Sequence, residues 1–216
     1  SNVPIQLQAY GGGNYLWYDS TFLNHNNVSN PLAFPDDDMD FIVEITDSNG
    51  CFGIDTVQVS IFIANASNDT LICSGDSYQA NVYGDNASSI NWSPANNVSN
   101  PNINNPILSP NSNTTYLVTI SNNIGCVIYD TLTVSVPNIE ASFDTTINAG
   151  CDGLVIDYIN TSNSELNFYW IFSDSDTSFN NETSKTYEFE SNFSATLFVS
   201  DSNGCSYNIT KSGNAL

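Results

Sequence analysis

Carboxylates are the residues of this chain best suited to chemistry, because it has 23 acidic residues against two basic ones and one histidine. Two groups are close together in sequence, an acidic run and a later pair: Asp36, Asp37, Asp38, Asp40, Asp174 and Asp176. Clustered oxygen ligands suit Ca²⁺, which takes about six to eight of them, but neither spacing matches an EF-hand loop. The sequence favours a solvated loop at each place and leaves calcium, its one candidate cofactor, as the alternative.

Catalysis has little support in the sequence. His25 is the single histidine and no Gly-x-Ser-x-Gly pattern is present, so a nucleophile activated by a neighbouring base has no obvious members. A carboxylate pair for glycoside hydrolysis stays open, because so many acids offer many pairs. We predict that the chain is not an enzyme.

The five cysteines are the second set of reactive residues: Cys51, Cys73, Cys126, Cys151 and Cys205. The spans 73–126 and 151–205 have nearly the same length, which predicts one disulfide in each of two modules, formed in an oxidising compartment. Cys51 is left over, and we interpret it as the second cysteine of a module truncated just after its first. The alternative is an intermolecular bridge or a reactive thiol.

A repeated phrase shows how these residues are organised. FIVEITDSNGC (41–51) returns as YLVTISNNIGC (116–126) and as ATLFVSDSNGC (195–205). Alternating apolar residues followed by Gly predict a strand and a hairpin turn, in which Asp or Asn bonds its own backbone. A repeat near 75 residues predicts an all-β chain of three tandem β-sandwich modules, at 1–63, 64–137 and 138–216. Trp17, Trp92 and Trp170 precede the repeated cysteines at nearly constant distance, which predicts core anchors, with an exposed sugar-stacking platform as the alternative.

The charge balance excludes two classes of partner. The formal net charge is -21, so no basic patch for nucleic acid can form. Attraction to an anionic membrane surface is disfavoured for the same reason. No apolar run reaches the roughly 18 residues of a membrane span, so we expect no membrane insertion.

The motifs of the second module resemble the immunoglobulin-like and PKD-like repeats of giant secreted proteins of the Bacteroidetes. They include Asn91-Trp92-Ser93-Pro94, Val98-Ser99-Asn100-Pro101 and Gly125-Cys126, and the first module keeps a degenerate copy. In the third, Trp170-Ile-Phe-Ser-Asp-Ser175 is similar to the Trp-x-Phe-Gly-Asp-Gly phrase of PKD domains, with serine at both glycine positions. The resemblance implies a stalk or adhesive arm at the cell surface, exported by the type IX route, as in gliding-type adhesins.

Several Asp-Thr pairs are similar to the O-glycosylation signal of the same phylum. They predict modified threonines at Thr56, Thr70, Thr131 and Thr145. The alternative is that Asp-Thr marks a turn leading into the start of a β-branched strand.

The function predicted from these residues is a non-enzymatic stalk and adhesive region of a large extracellular surface adhesin. Expected partners are neighbouring repeats of the same polypeptide and, beyond them, surface polysaccharide or outer-membrane proteins. The alternatives are an accessory spacer or carbohydrate-binding region of a secreted hydrolase, and a filament subunit that pairs through edge strands.

Overall fold

The computed structural model describes residues 4–150, 153–163, 167–188 and 191–214. The chain divides into two compact units, Ser1–Ile63 with Gly84–Asn86, and Ala64–Tyr83 with Ala87–Leu216. The fold is all-β, as predicted, and consists of tandem β-sandwich modules. The one helix of the described residues is a short 3₁₀ turn at Ser20–Phe22, so none is long and apolar enough to cross a membrane.

The first module has five strands: β1 (Ile5–Gln6), β2 (Asn14–Trp17), β3 (Leu32–Ala33), β4 (Met39–Thr46) and β5 (Phe52–Val59). β2, β4 and β5 form an antiparallel sheet, and β1 pairs with β3. Phe41 and Val43 in β4 are buried, whereas Ile42 and Glu44 are only half-buried. The period of two buries one face of the sheet over the core.

The second module has eight strands: β6 (Ala64–Ala66), β7 (Thr70–Leu71), β8 (Tyr78–Gln79), β9 (Val82–Gly84), β10 (Ala87–Ser93), β11 (Ile107–Leu108), β12 (Thr114–Asn122) and β13 (Val127–Ser135). Its main sheet has the order β10-β12-β13-β7, and β7 runs parallel to the end of β13. The hairpin of β12 and β13 buries Tyr116, Val118, Ile120, Leu132 and Val134.

The third module has seven strands: β14 (Phe143–Gly150), β15 (Gly153–Asn160), β16 (Asn167–Phe172), β17 (Thr177–Ser178), β18 (Glu182–Tyr187), β19 (Asn192–Ser200) and β20 (Ser206–Asn214). They form two sheets, β14-β15-β18 and β17-β16-β19-β20. The core is aromatic: the Phe143 ring meets Trp170 edge-on at 5.0 Å, and Tyr158 lies 5.9 Å from Trp170. Such edge contacts are a favoured geometry for aromatic pairs.

The three tryptophans are core anchors, as predicted. Trp17, Trp92 and Trp170 have exposed fractions of 1%, 1% and 0%. Each indole N–H donates to a backbone carbonyl ten or eleven residues later, on Val28, Ile103 and Asn180 respectively. Because these rings are buried and hydrogen-bonded, they cannot form the exposed sugar-stacking platform that was the alternative.

Candidate functional site: the cysteine turns and their disulfide

The repeated phrase forms the same hairpin turn in all three modules. In the first turn, the Asp47 carboxylate accepts the N–H groups of Asn49 and Cys51 at 2.8 and 2.9 Å, and Gly50 has φ +82. The Asp47 N–H donates to the Cys51 carbonyl at 2.8 Å, which closes the loop. Only glycine adopts this backbone region readily. Hydrogen bonds from the Cys51 and Asn49 amides hold the pKa of Asp47 below its usual value.

The other two turns repeat this arrangement. Asn122 takes the place of the aspartate in the second, and its side-chain oxygen accepts the amides of Ile124 and Cys126. In the third, Asp201 accepts those of Asn203 and Cys205. Burial alone would raise the pKa of Asp201, but the hydrogen bonds from Asn203 and the Cys205 amide together lower it. Asparagine serves as well as aspartate because the turn needs an oxygen acceptor and no charge.

The third turn carries the one disulfide of the described residues, between Cys205 and Cys73. The S–S distance is 2.06 Å and the Cα atoms are 5.3 Å apart. Cys73 follows β7, at the point where the Ile72 N–H donates to the Ser135 carbonyl at the end of β13. The bridge therefore joins the second module to the third.

The expected Cys73–Cys126 bridge is wrong, and the direction of β13 explains why. Cys126 precedes the first residue of this nine-residue strand, whereas Leu71 pairs with its last residue and Cys73 lies two residues further on. A strand of that length spans about 30 Å, and a disulfide requires Cα atoms within about 7 Å. Cys126 and Cys51 are both free and exposed at the tips of their hairpins.

The predicted Cys151–Cys205 bridge is wrong as well, because the Cys205 sulfur is bonded to Cys73. Cys151 itself lies outside the described residues. The nearly equal spans 73–126 and 151–205 suggested one bridge per module. Each span ends at a cysteine of the repeated hairpin turn, so their similar length reflects the repeat and not a pairing. The strand register, which decides which turns meet, is not visible in cysteine spacing.

The acidic run does not converge on one point. Asp36, Asp37, Asp38 and Asp40 are all exposed. Asp38 accepts the Ile61 N–H at 2.6 Å, and Asp37 accepts the Asp38 N–H at 2.8 Å. Within the described residues, no three or more His, Cys, Asp or Glu side chains are grouped to hold a metal ion. Asp38 therefore anchors the chain after β5, and calcium at this run stays a prediction.

The later pair, Asp174 and Asp176, already shares a cation from the chain itself. The Lys185 ammonium lies 2.8 Å from Asp174 Oδ2 and contacts Asp176 Oδ2. Hydrogen bonds from Lys185 lower the pKa of Asp174, and both carboxylates raise the pKa of Lys185. The ammonium also lies 5.2 Å from the centre of the Phe172 ring, a cation–π distance. Lys185 is one of only two basic residues in a chain with 23 acidic ones, and that rarity is the sequence signal for its role between two carboxylates.

The four threonines predicted to be glycosylated differ in their exposure and in their position along the strands. Thr56, Thr131 and Thr145 are exposed, and Thr70 is half-buried. Thr56 and Thr131 lie inside β5 and β13, so the strand-start explanation does not hold for them. In both cases the preceding aspartate accepts the threonine N–H at 2.8 Å. The Asp130 carboxylate also accepts the Ala66 N–H, also at 2.8 Å, so these aspartates have structural partners whether or not the threonines are modified.

One family model matches part of the chain. Residues 134–214 match the PKD domain, which agrees with the resemblance of the Trp170–Ser175 phrase. The match covers less than half of the chain, so it describes this module and not the whole. No curated protein matches the chain.

Several solved multi-domain structures are weakly similar to this chain. The eight N-terminal immunoglobulin domains of Down Syndrome Cell Adhesion Molecule match with a TM-score of 0.48 and 14% identity, over 99% of this chain and 34% of that one. The chain thus spans about a third of that structure. A titin fragment matches with a TM-score of 0.37 and 10% identity, over 98% and 96%. The human desmocollin-1 ectodomain gives 0.33 and 11%, over 93% and 51%. These scores are too low to carry an argument about function.

Proposed function

We propose that this chain is a non-enzymatic stalk and adhesive-repeat region of a large secreted bacterial surface protein. The observation that carries the proposal is the disulfide that joins two tandem sandwiches, one of which matches the PKD domain. A bridge between modules stiffens a row of small domains, and stable disulfides are typical of proteins outside the reducing cytosol. The proposal includes module boundaries at 63/64 and 137/138.

The strongly acidic composition suits a protein that is present in many copies at a cell surface and stays soluble there. The net charge of -21 makes neighbouring copies repel one another, which keeps a protruding rod soluble. The residues named in the sequence resemblance extend the proposal to a gliding-type adhesin of the Bacteroidetes, exported by the type IX route. Its partners would be adjacent repeats, together with surface polysaccharide or outer-membrane proteins.

Surface labelling and the size of the parent protein test this function together. An antibody against the chain should label intact source cells, and protease added outside should remove the signal. A large-pore gel should then show a very large polypeptide whose peptides come mainly from similar modules. An antigen reached only after lysis would refute the proposal, and a parent of ordinary size with a separate catalytic domain would favour a hydrolase spacer.

A second function, carbohydrate binding, is favoured by one aromatic patch on the third module. Tyr169 and Phe198 are paired positions on β16 and β19, and they alternate with the buried Trp170 and Leu197. Their rings stack at 4.9 Å, and Phe179, which is 72% exposed, lies 6.3 Å from Tyr169. Phe198 is half-buried and Tyr169 is 38% exposed, and a cluster of partly exposed aromatic rings on the outer face of a sheet is typical of a binding surface.

Affinity electrophoresis in gels cast with surface polysaccharide tests this second function. The wild type should be retarded, and Phe179→Ala should restore most of its mobility. Tyr129→Ala is the matched control, because Tyr129 is similarly exposed, at 67%, but lies on β13 of the second module. Equal mobility of all three proteins in every polysaccharide gel would remove carbohydrate binding by this patch from consideration.

A further inference from the structure

The second and third modules are held together by two covalent connections of different kinds. One is the short peptide between the end of β13 at Ser135 and the start of β14 at Phe143. The other is the Cys73–Cys205 disulfide. Among the described residues, every sheet takes its strands from one module only, so no strand ladder there joins the two modules. These two connections are therefore the covalent links through which force passes between the two modules.

The position of the disulfide in the chain decides which connection carries a load. Cys73 lies near the start of the second module, after β7, and Cys205 lies just before β20, the last strand of the third. A force applied at the chain ends enters through the residues before Cys73, crosses the S–S bond, and leaves through β20. Residues 74–204 lie in a closed loop beside this path, and they include strands β8 to β19 with most of both cores.

We propose that the Cys73–Cys205 disulfide is a force bypass that keeps the second and third modules folded when the chain is pulled. Within the second and third modules, the strands left on the load path are short or terminal. β7 pairs with β13 at two positions, and β20 pairs with β19 at nine. Detaching them lengthens the chain slightly, whereas the closed loop cannot be extended while the bond is intact.

Reduction converts the same segment into an extensible one. A small dithiol reductant attacks the bridge, forms a mixed disulfide with one cysteine and releases the other as a thiol. Its second thiol then closes a ring, which leaves two cysteine thiols and one oxidised reductant, a balanced two-electron exchange. The 132 positions between the cysteines correspond to about 440–475 Å of extended chain. The inference concerns mechanics, and it rests on the proposed stalk function only for its use in the cell.

Single-molecule pulling on the full chain, held at its two ends, tests the bypass directly. The oxidised wild type should release a total contour length shorter by about 440–475 Å than the same protein pulled in dithiothreitol. Cys73→Ser should show the long release with or without reductant. Cys126→Ser is the matched control, because it removes a free cysteine from the equivalent turn, and it should behave as the wild type does.

Peptide mapping of the oxidised protein guards against a variant that fails to fold. It should recover a peptide pair containing Cys73 joined to Cys205, and pulling before and after reductant then uses wild-type protein alone. The proposal is overturned if the oxidised wild type already releases the full length, or if Cys73 is mapped to another cysteine. Either result would overturn the bypass without bearing on the proposed location at the cell surface. Conversely, a cytoplasmic location would refute the stalk function without changing the measured release of contour length.

Discussion

Replacing Cys73 or Cys205 by serine should strongly destabilise the unit that contains the second and third modules. The bridge closes a loop of 132 positions, and the chain-entropy treatment assigns such a loop roughly 5 kcal/mol at 25 °C. Domains of this size commonly have a total stability of about 5–15 kcal/mol. Loss of the bridge should therefore remove a large share of the free energy of unfolding.

Guanidinium unfolding followed by tryptophan fluorescence measures this loss, because each module has one buried tryptophan that becomes exposed. Cys73→Ser and Cys205→Ser should lower the free energy of unfolding by the same amount. The double variant should be no worse than either single one, since all three lack the same bond.

Cys126→Ser separates this pairing from the one that the cysteine spacing suggested. It should leave the unfolding midpoint unchanged, because the Cys126 thiol is exposed and bonded to nothing. A Cys126→Ser variant as unstable as Cys73→Ser would mean that the bridge lies within the second module. An additive double variant would mean that Cys73 and Cys205 are not partners.

Four further predictions concern other residues. Tyr116→Phe should raise the free energy of unfolding by up to about 1 kcal/mol in the same assay, because its buried hydroxyl has no hydrogen-bond partner among the described residues. Tyr158→Phe should lower the free energy of unfolding by about 1 kcal/mol, because its hydroxyl is hydrogen-bonded to that of Tyr187. A Tyr158→Phe protein more stable than Tyr116→Phe would contradict these hydrogen-bond assignments. Lys185→Met should remove the cation between two carboxylates and lower the free energy of unfolding by at most about 1 kcal/mol. Ca²⁺ binding measured by calorimetry should then be stronger than in the wild type. Absence of binding by both proteins would refute the calcium hypothesis at this turn. Mass spectrometry of native protein should find glycan on Thr131, which is exposed, before Thr70, which is half-buried, and unmodified peptides throughout would refute glycosylation.

The pH dependence of the Lys185 ion pair follows from the two pKa shifts. The pKa of Asp174 is lowered in the folded protein, so its contribution is present above its ordinary value and is lost as the pH falls through the lowered one. The pKa of Lys185 is raised, so its contribution is present at neutral pH and is lost as the pH rises through the raised value. The stability difference between wild type and Lys185→Met should therefore be greatest between these limits and disappear in acid.

Local features of the fold were predictable because they depend on neighbours in sequence. The alternation in 41–46 and 116–120 predicts strands with one buried face, and β4 and β12 have it. Glycine before each repeated cysteine predicts a left-handed turn position, and Gly50, Gly125 and Gly204 have φ of +82, +92 and +88. The fixed position of one tryptophan per module predicts a buried anchor because nothing else in the repeat is as large.

The disulfide could not be predicted by the same reasoning, because it depends on how turns from different modules meet. The spacing argument assumes that equal spans in sequence correspond to equal loops in space. That assumption fails at Cys73, because β7 runs parallel to β13 and so carries Cys73 away from the hairpin that holds Cys126. A parallel pairing places the cysteine at the end of the module that leads into the next one, where the Cys205 turn meets it. Because β7 pairs in parallel with the last two residues of β13, its position and direction account for both the failed prediction and the observed bridge.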